Sequence, residues 1–164
     1  MTLLNILTLP DKRLKTVAKP VEKFDAELKK FIKDMFATMY DAPGIGLAAT
    51  QVDVHKQVVV IDVSEDKDQP LCLINPKIVE KEGQQIHEEG CLSVPNIYAK
   101  VKRASSIVVE AQDESGNAIS IEADELLAVC IQHELDHLKG IVFLDHLSTI
   151  KRKMALKKLA KEDD

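Results

Sequence analysis

Two histidines and a glutamate with the spacing of a metal site lie near the C-terminal end of the chain. His133, Glu134 and His137 form the pattern H-E-x-x-H between Cys130 and Leu138. In a helix, residues four apart share a face, so both imidazoles could bind one metal ion. Glu134 could then carry a proton to or from a water bound to that metal. The alternative is an ordinary helix with this pattern by chance, and a third ligand would decide between the two interpretations.

The third ligand is sought first downstream, where zinc proteases with this pattern have it. In the metzincin pattern Gly140 fits, but Phe143 occupies the position of the last histidine, and His146 is off the required spacing. The downstream search therefore fails. Upstream, Cys91 follows a glycine in a polar turn at the end of a predicted strand, and it is the best remaining ligand.

The polar setting of Cys91 distinguishes it from the other two cysteines. Cys72 and Cys130 are predicted to pack in the core, as free cysteines usually do. One thiolate and two imidazoles leave an open position on a tetrahedral ion, which is typical of catalytic sites. The metal would keep Cys91 deprotonated and lower the pKa of a bound water, and Glu134 would move its proton.

The composition indicates one globular domain over residues 1–164. Hydrophobic residues make up 45% and charged residues 30% of the chain, a balance typical of folded proteins. The net charge of -5 gives no reason to expect binding to DNA, and any basic partner site must be local.

The N-terminal sequence and the cysteine count bear on the compartment. The stretch Met1–Pro10 lacks a basic start and a small-residue cleavage site, so it does not resemble a signal peptide. No apolar run is long enough to span a membrane. An odd number of cysteines, three, indicates free thiols in a reducing compartment. These features predict a cytoplasmic protein without a membrane partner.

Apolar residues at helical spacing predict three helices. Asp25 is a suitable N-cap for a helix that ends near Tyr40. Asp124 would cap the helix that contains the histidines, and Gly140 would end it. Because that helix is apolar on nearly every side before His133, we expect it to run through the middle of the domain. The third predicted helix is the C-terminal segment.

Runs of β-branched and alternating residues predict the strands, at residues 57–62, 71–75, 77–81, 85–89, 105–112 and 118–123. Pro76 is expected to end the second of them. The last two flank a polar loop and predict a hairpin. Since strands and helices do not alternate regularly, the expected fold class is α+β. Mixed or antiparallel β-sheets would pack around the central metal-binding helix, with a C-terminal helix beside them.

The stretch from Asp41 to Gln51 contains two glycines, Gly44 and Gly46, on either side of Ile45. Glycines allow a backbone to come close to a ligand or to another strand, and they also occur in purely structural turns. Both interpretations remain open at this point. A phosphate-binding loop is excluded, because no Lys-Ser/Thr pair ends the stretch and no strand precedes it.

The C-terminal segment, residues 148–164, combines helical apolar spacing with a run of basic side chains. They are Lys151, Arg152, Lys153, Lys157, Lys158 and Lys161. A solvated helix face is the ordinary interpretation of such a run. A docking helix for an anionic partner such as RNA is the alternative.

Three stretches together resemble the motifs of bacterial peptide deformylases. They are Gly44-Ile-Gly-Leu-Ala-Ala-Thr-Gln51, Glu89-Gly-Cys-Leu-Ser93 and Gln132-His-Glu-Leu-Asp-His137, in this order. The N-terminal Leu9-Pro-Asp-x-x-Leu14 and Ala18-Lys-Pro-Val21 are also similar to that family. The resemblance extends over almost the whole chain and is far more specific than H-E-x-x-H alone.

The resemblance implies a hydrolase that removes the formyl group from the N-terminal formyl-methionine of newly synthesised polypeptides. Its cofactor would be one divalent metal ion, most often Fe²⁺, with Zn²⁺, Ni²⁺ or Co²⁺ as substitutes. Cys91, His133 and His137 would be the ligands. Attack by a metal-bound water or hydroxide would use Glu134 as general acid and base.

The same carry-over assigns residues to the substrate. The Gln51 amide and the Leu92 backbone N–H would donate hydrogen bonds to the developing oxyanion. Ile45, Gly46 and Gly90 would lie beside the peptide backbone, where a substrate can add as a strand. The resemblance also implies that Ile45 and Val129 line an apolar pocket for the methionine side chain. Val129 lies one helical turn before His133, so its side chain should face the same cavity.

Two positions depart from the family pattern, and one feature of the tail agrees with it. Asn96 stands where many relatives have an acid, and His87 stands where an apolar residue is expected. Neither is a predicted metal ligand, and both departures leave open the outer substrate cleft and its sequence preference. In the Gram-negative members of the family, a basic C-terminal helix docks on the ribosome, and residues 148–164 resemble it.

Two other classes of function were weighed against the amidase. A zinc endopeptidase would need a downstream third ligand, which the sequence lacks. A non-catalytic module folded around a metal, with the basic tail holding RNA, would need a closed site with four protein ligands. Only one suitable thiol accompanies the two histidines, so the metal-dependent amidase is the leading hypothesis.

Overall fold

The computed structural model describes residues 2–162, which form three α-helices and two antiparallel sheets. Helix α1 is Ala26–Asp41. The Asp25 carboxylate caps it by accepting a hydrogen bond of 3.0 Å from the Leu28 N–H, as predicted. Its apolar face, which includes Ile32 and Met35, is buried against the larger sheet.

The larger sheet has five strands in the order β1-β2-β3-β6-β7, and every neighbouring pair is antiparallel. Its strands are β1 Gly46–Ala48, β2 Val58–Ile61, β3 Leu71–Glu82, β6 Ser106–Gln112 and β7 Ala118–Asp124. β6 and β7 form the predicted hairpin. Strands β4 Gln85–Cys91 and β5 Val94–Arg103 form the second sheet, an antiparallel pair that brings Cys91 to the site.

The prediction that a strand ends at Pro76 is wrong, because β3 continues through it to Glu82. Asn75 has a φ of +52°, and the pairing with β6 shifts register between Ile74 and Lys77. Pro76 therefore lies in a bulge, where the ladder does not need an N–H donor.

Helix α2, Glu125–Leu138, runs through the middle of the molecule, as predicted, and carries both histidines. Asp124 occupies its N-cap position, but its side chain makes no capping hydrogen bond, contrary to the prediction. Gly140 has a φ of +78°, and a Cβ there would collide with the Lys15 carbonyl. A glycine is therefore required where the chain leaves the helix.

The core lies in three clusters that surround the site. One joins the large sheet to α2, a second joins that sheet to α1, and a third lies under β5. The third cluster includes Leu159 of helix α3, Thr149–Glu162. The predicted C-terminal helix is confirmed over these residues, and residues 163–164 of the predicted segment lie outside the described part of the chain. Short 3₁₀ turns occur at Lys12–Lys15, Ala49–Val52 and Phe143–His146. No helix within residues 2–162 is both long and apolar enough to cross a membrane.

Candidate active site

Cys91, His133 and His137 converge at the centre of the molecule. The Cys91 Sγ lies 3.3 Å from the His137 Nε2, which lies 3.3 Å from the His133 Nε2. All three donor atoms are within 4.8 Å of one another. A tetrahedral ion with ordinary metal–sulfur and metal–nitrogen bonds needs donors about 3.3–3.6 Å apart. The two separations of 3.3 Å match this range, so the donor set suits a divalent metal.

The three donors come from two elements. α2 supplies the two histidines one turn apart, and the end of β4 supplies the cysteine. In the part of the chain that the structure describes, no fourth His, Cys, Asp or Glu joins this group. A bound ion would therefore keep a position open for another ligand, as catalytic sites do.

Glu89 and Arg103 hold His133 on the side of its ring that faces away from the other donor atoms. The Nδ1 of His133 lies 2.9 Å from a Glu89 carboxylate oxygen, which leaves Nε2 as the atom that faces the other donors. The Arg103 guanidinium donates two hydrogen bonds of 2.8 Å to the same carboxylate. Arg103 also donates to Asp136, at 2.6 Å, and Asp136 contacts His146 at 2.8 Å. His133 is thus held by a buried ionic network.

Burial and charge set the protonation of these groups. Burial alone would raise the pKa of Glu89, but hydrogen bonds from Arg103 and His133 lower that pKa to about 2. Burial and the neighbouring His133 lower the pKa of His137 below its ordinary value, which favours the neutral imidazole that binds metals. Glu89 is therefore a fixed negative charge behind the ligands.

Glu134 lies beside the donor cluster and differs from Glu89 in its environment. Its side chain is 4% exposed, and its Oε1 has no hydrogen-bond partner among the described residues. Burial raises the pKa of Glu134 to about 7. A carboxyl group with that pKa can both accept and donate a proton near neutral pH. The Gly46 backbone packs directly against this carboxylate, where a Cβ would collide with it.

Gln51 connects two of the sequence motifs. Its Oε1 accepts a hydrogen bond of 2.9 Å from the Ala48 N–H, and its Nε2 donates to the Ser93 Oγ at 3.0 Å. The same Nε2 lies 3.5 Å from the Cys91 Sγ. Gln51 is 1% exposed, so its amide is held rigidly beside the donor cluster.

A cavity of about 330 Å³ opens on this cluster. With the exception of His137, which is fully buried behind it, every predicted site residue lines the cavity. They are Ile45, Gly46, Gln51, Gly90, Cys91, Leu92, Val129, His133 and Glu134. His87 also lines it, whereas Asn96 does not. Asn96 has a φ of +63°, a conformation that asparagine adopts more readily than most residues.

Comparison with known proteins agrees with this geometry. The model of the polypeptide deformylase family matches residues 3–153. The chain belongs to the polypeptide deformylase family. Peptide deformylase of Chromobacterium violaceum is 60% identical over 163 residues, which cover 99% of this chain and 98% of that protein. The family resemblance drawn from the sequence motifs is thereby confirmed.

Solved deformylase structures share the fold. The peptide deformylase of Legionella pneumophila matches with a TM-score of 0.95 and 49% identity, over 99% of this chain and 96% of that one. The Ehrlichia chaffeensis peptide deformylase, solved in complex with actinonin, matches with a TM-score of 0.94 and 44% identity, over 99% and 98% of the two chains. The α+β prediction is confirmed, and membership assigns to the chain the removal of N-formyl groups from nascent peptides.

The supporting residues of this deformylase site were missed in the sequence. The sequence predicts Glu89 only as part of a family motif, and it gives no role to Arg103 on the neighbouring strand. Tyr98 and Leu126 also line the cavity without having been predicted. A charged residue at the end of a strand is ordinary in sequence. The β4–β5 register pairs Arg103 with Gln85 and Glu89 with Ala99, so the Arg103–Glu89 contact is visible only in the side-chain packing of the folded chain.

The Arg103 network predicts a dependence of stability on pH. The folded-state pKa of Glu89, about 2, is below its ordinary value of 4.5. Its contribution to stability is therefore present above pH 4.5 and is lost as the pH falls from 4.5 to 2. We expect Arg103→Met to lower the free energy of unfolding at pH 7 by about 3–5 kcal/mol, because a buried carboxylate loses its partner. The variant should also lose less stability between these pH values than the wild type. Urea unfolding at a series of pH values measures both effects.

Arg13→Met is the matched control for this measurement. Arg13 also binds two carboxylates, Asp11 and Asp53, at 2.8 and 2.9 Å, but its side chain is 53% exposed. Because water screens this pair, its removal should leave the free energy of unfolding nearly unchanged. Equal losses in the two variants would contradict the role given to the Arg103 network.

Proposed function

We propose that this enzyme removes the formyl group from the N-terminal formyl-methionine of newly synthesised polypeptides, with a divalent metal held by Cys91, His133 and His137. The observation that carries the proposal is the convergence of these three donors beside a buried glutamate, at the base of an open cavity. When bound, the metal supplies Lewis-acid activation of water and of the formyl carbonyl.

The residues of the chain provide the other parts of the reaction. Glu134 takes a proton from the attacking water and later delivers it to the leaving amine, which its pKa of about 7 allows. The Gln51 amide and the Leu92 backbone N–H donate hydrogen bonds to the oxygen that gains negative charge. The Gln51 amide is preorganised, because it is already held by Ala48 and Ser93.

The substrate is proposed to lie between the two sheets. Gly46 and Gly90 border the cavity with bare backbone, against which an extended peptide can add as a strand. The ring of Tyr98 lies over Gly90, 2.7 Å from where a Cβ would be, so a larger residue does not fit there. Ile45 and Val129 would form the walls of the methionine pocket.

The proposed metal is Fe²⁺, with Zn²⁺, Ni²⁺ and Co²⁺ as alternatives. A mixed sulfur and nitrogen donor set is compatible with all four ions, and the availability of each metal in the cell largely decides which one is bound. Because nascent chains are made in the cytoplasm, we propose that the enzyme acts there.

Formate release from a formyl-Met peptide tests the proposal, with protein purified without oxygen and its metal content measured on the same sample. We expect release that stops with a chelator and declines in air, as for an Fe²⁺ enzyme. Formate release that continues in air would support the same reaction with a metal other than Fe²⁺. Fully metallated protein that releases no formate would contradict the proposed function.

We further propose that residues 1–164 act as one catalytic domain and that the basic helix α3 binds the ribosome. α3 packs on the core through Leu159, which is 4% exposed, while Lys151, Lys153, Lys157 and Lys158 are exposed. An exposed row of lysines on an otherwise acidic protein suits an anionic surface such as ribosomal RNA. The packing of Leu159 means that deleting the helix would also expose the core.

Charge reversal therefore tests ribosome binding more cleanly than truncation. We expect Lys153→Glu with Lys157→Glu to weaken co-sedimentation with ribosomes about tenfold or more and to reduce its salt dependence. Turnover of a short formyl-Met peptide should stay unchanged. Lys29→Glu with Lys33→Glu is the matched control, because these lysines are also exposed and four residues apart, on α1. Equal ribosome binding by the two double variants would refute the proposal.

A further inference from the structure

The N-terminal segment Leu7–Leu9 makes two backbone hydrogen bonds that join separate parts of the active site. The Leu7 N–H donates to the Gln51 carbonyl at 2.7 Å, and the Leu9 N–H donates to the Ser93 carbonyl at 2.9 Å. This segment therefore spans the gap between the two carbonyls with a single residue, Thr8, in between.

The two carbonyls belong to the stretches that carry the proposed oxyanion donors. Gln51 supplies the side-chain amide, and Ser93 directly follows Leu92, which supplies the backbone N–H. Gln51 lies in the 3₁₀ turn after β1 of the large sheet, whereas Leu92 and Ser93 lie in the turn of the β4–β5 pair. These strands belong to different sheets, so no strand ladder sets the distance between the donors.

The side chains of the segment keep it in place. Leu7 and Leu9 are 5% and 7% exposed, and they pack in one cluster with Val94 and Phe143. A little further along the chain, the Ala18 N–H donates to the Leu138 carbonyl at the end of α2, at 2.8 Å. The N-terminal chain thus contacts the backbone directly at or after each of the three motifs.

The segment itself does not reach the substrate. None of the described residues that line the cavity comes from the first 42 positions, since the lining begins at Pro43. Leu7 and Leu9 can therefore act on the reaction only through the groups that they hold. Hydrogen-bond donors stabilise a transition state in proportion to how well they are preorganised, and a shift of about 1 Å can cost a factor of about 100 in rate.

We propose that Leu7 and Leu9 are positioning residues whose backbone N–H groups, together with the hydrogen bond from the Gln51 amide to the Ser93 Oγ, set the separation between the Gln51 amide and the Leu92 N–H. The inference rests on the proposed function, because it concerns the oxyanion donors of that reaction. The segment links the turn after β1 of the large sheet to the turn of the β4–β5 pair through these two hydrogen bonds. Its loss would misplace the donors while leaving the metal ligands and the methionine pocket intact.

Replacing single amide bonds by esters tests this role, because an α-hydroxy acid removes one N–H and keeps the side chain. We expect esters at Leu7 and Leu9 to lower kcat about tenfold or more, with KM changed less than about twofold and metal content unchanged. The matched control is an ester at Leu4, whose N–H donates to the Thr38 Oγ1 on α1 at 2.9 Å, away from the site. That ester should leave kcat within about twofold of the unmodified protein.

A second measurement does not depend on turnover. The ¹⁵N NMR signals of the Gln51 side-chain amide, recorded in chelated protein, should shift with the esters at Leu7 and Leu9 and stay in place with the ester at Leu4. If the unmodified metallated protein released no formate, the proposed function would fail. The Gln51 signals would still test whether Leu7 and Leu9 position the Gln51 amide. Equal kcat in the three esters, or Gln51 signals that respond to none of them, would overturn the inference.

Discussion

Replacing Glu134 with glutamine is expected to lower the rate of formate release about 10²- to 10⁴-fold, the range for loss of a general acid–base group. Glutamine keeps the shape of the side chain, so the buried position should tolerate it, but it cannot accept a proton. The metal content should not change, because Glu134 is not among the three converging donors. Initial rates with a formyl-Met peptide and metal analysis of the same samples measure both.

Glu110→Gln provides the matched control, since Glu110 is exposed on β6 and does not line the cavity. It removes the same charge from the protein without touching the site, and its rate should equal that of the wild type. Turnover retained by the Glu134 variant at the level of this control would disprove the role proposed for Glu134.

Replacing Cys91 with serine is expected to weaken metal binding by more than about 100-fold. Losing a group that only supports a ligand commonly costs 10- to 100-fold, so losing a ligand should cost more. A serine hydroxyl is much harder to deprotonate than a thiol and is a poorer ligand for soft or borderline metals. Titration of metal-free protein against a competing chelator gives the affinity directly.

The same substitution at Cys72 is the control for the general effect of replacing a thiol. Cys72 lies on β3, partly buried against the cluster between the sheet and α1. Cys72→Ser should leave metal affinity within about twofold of the wild type, since Cys72 belongs to no group of metal-binding side chains in the described chain. Similar losses of affinity in both variants would show that Cys91 acts through folding rather than ligation.

The elements that were predicted well are those whose signals are local. The cap at Asp25, the apolar face of α1 and the polar loop between β6 and β7 all depend on residues within a few positions of one another. His133 and His137 are one helical turn apart, so the part of the site formed by the two histidines could be predicted from the sequence alone. Val129 was placed in the cavity by the same periodicity.

The elements that were missed depend on contacts between distant parts of the chain. β5 was not predicted, because Pro95 and Asn96 interrupt its start, although its inward and outward positions alternate from Ile97 to Arg103. β3 was cut at Pro76, because a bulge that tolerates proline is created only by pairing with β6. Such strands become stable only when their partners are present.

By itself, the sequence determined the chemical types of the site: one thiol, two imidazoles and a glutamate, with their order along the chain. Only the tertiary structure decided which carboxylate is held as an anion and which can exchange a proton. Glu89 and Glu134 are both buried, yet their pKa values are about 2 and about 7. The reason is that Arg103 and His133 reach Glu89 across two strands and a helix, whereas the Oε1 of Glu134 has no hydrogen-bond partner in the described chain. Those distances arise only when the sheets and α2 pack together.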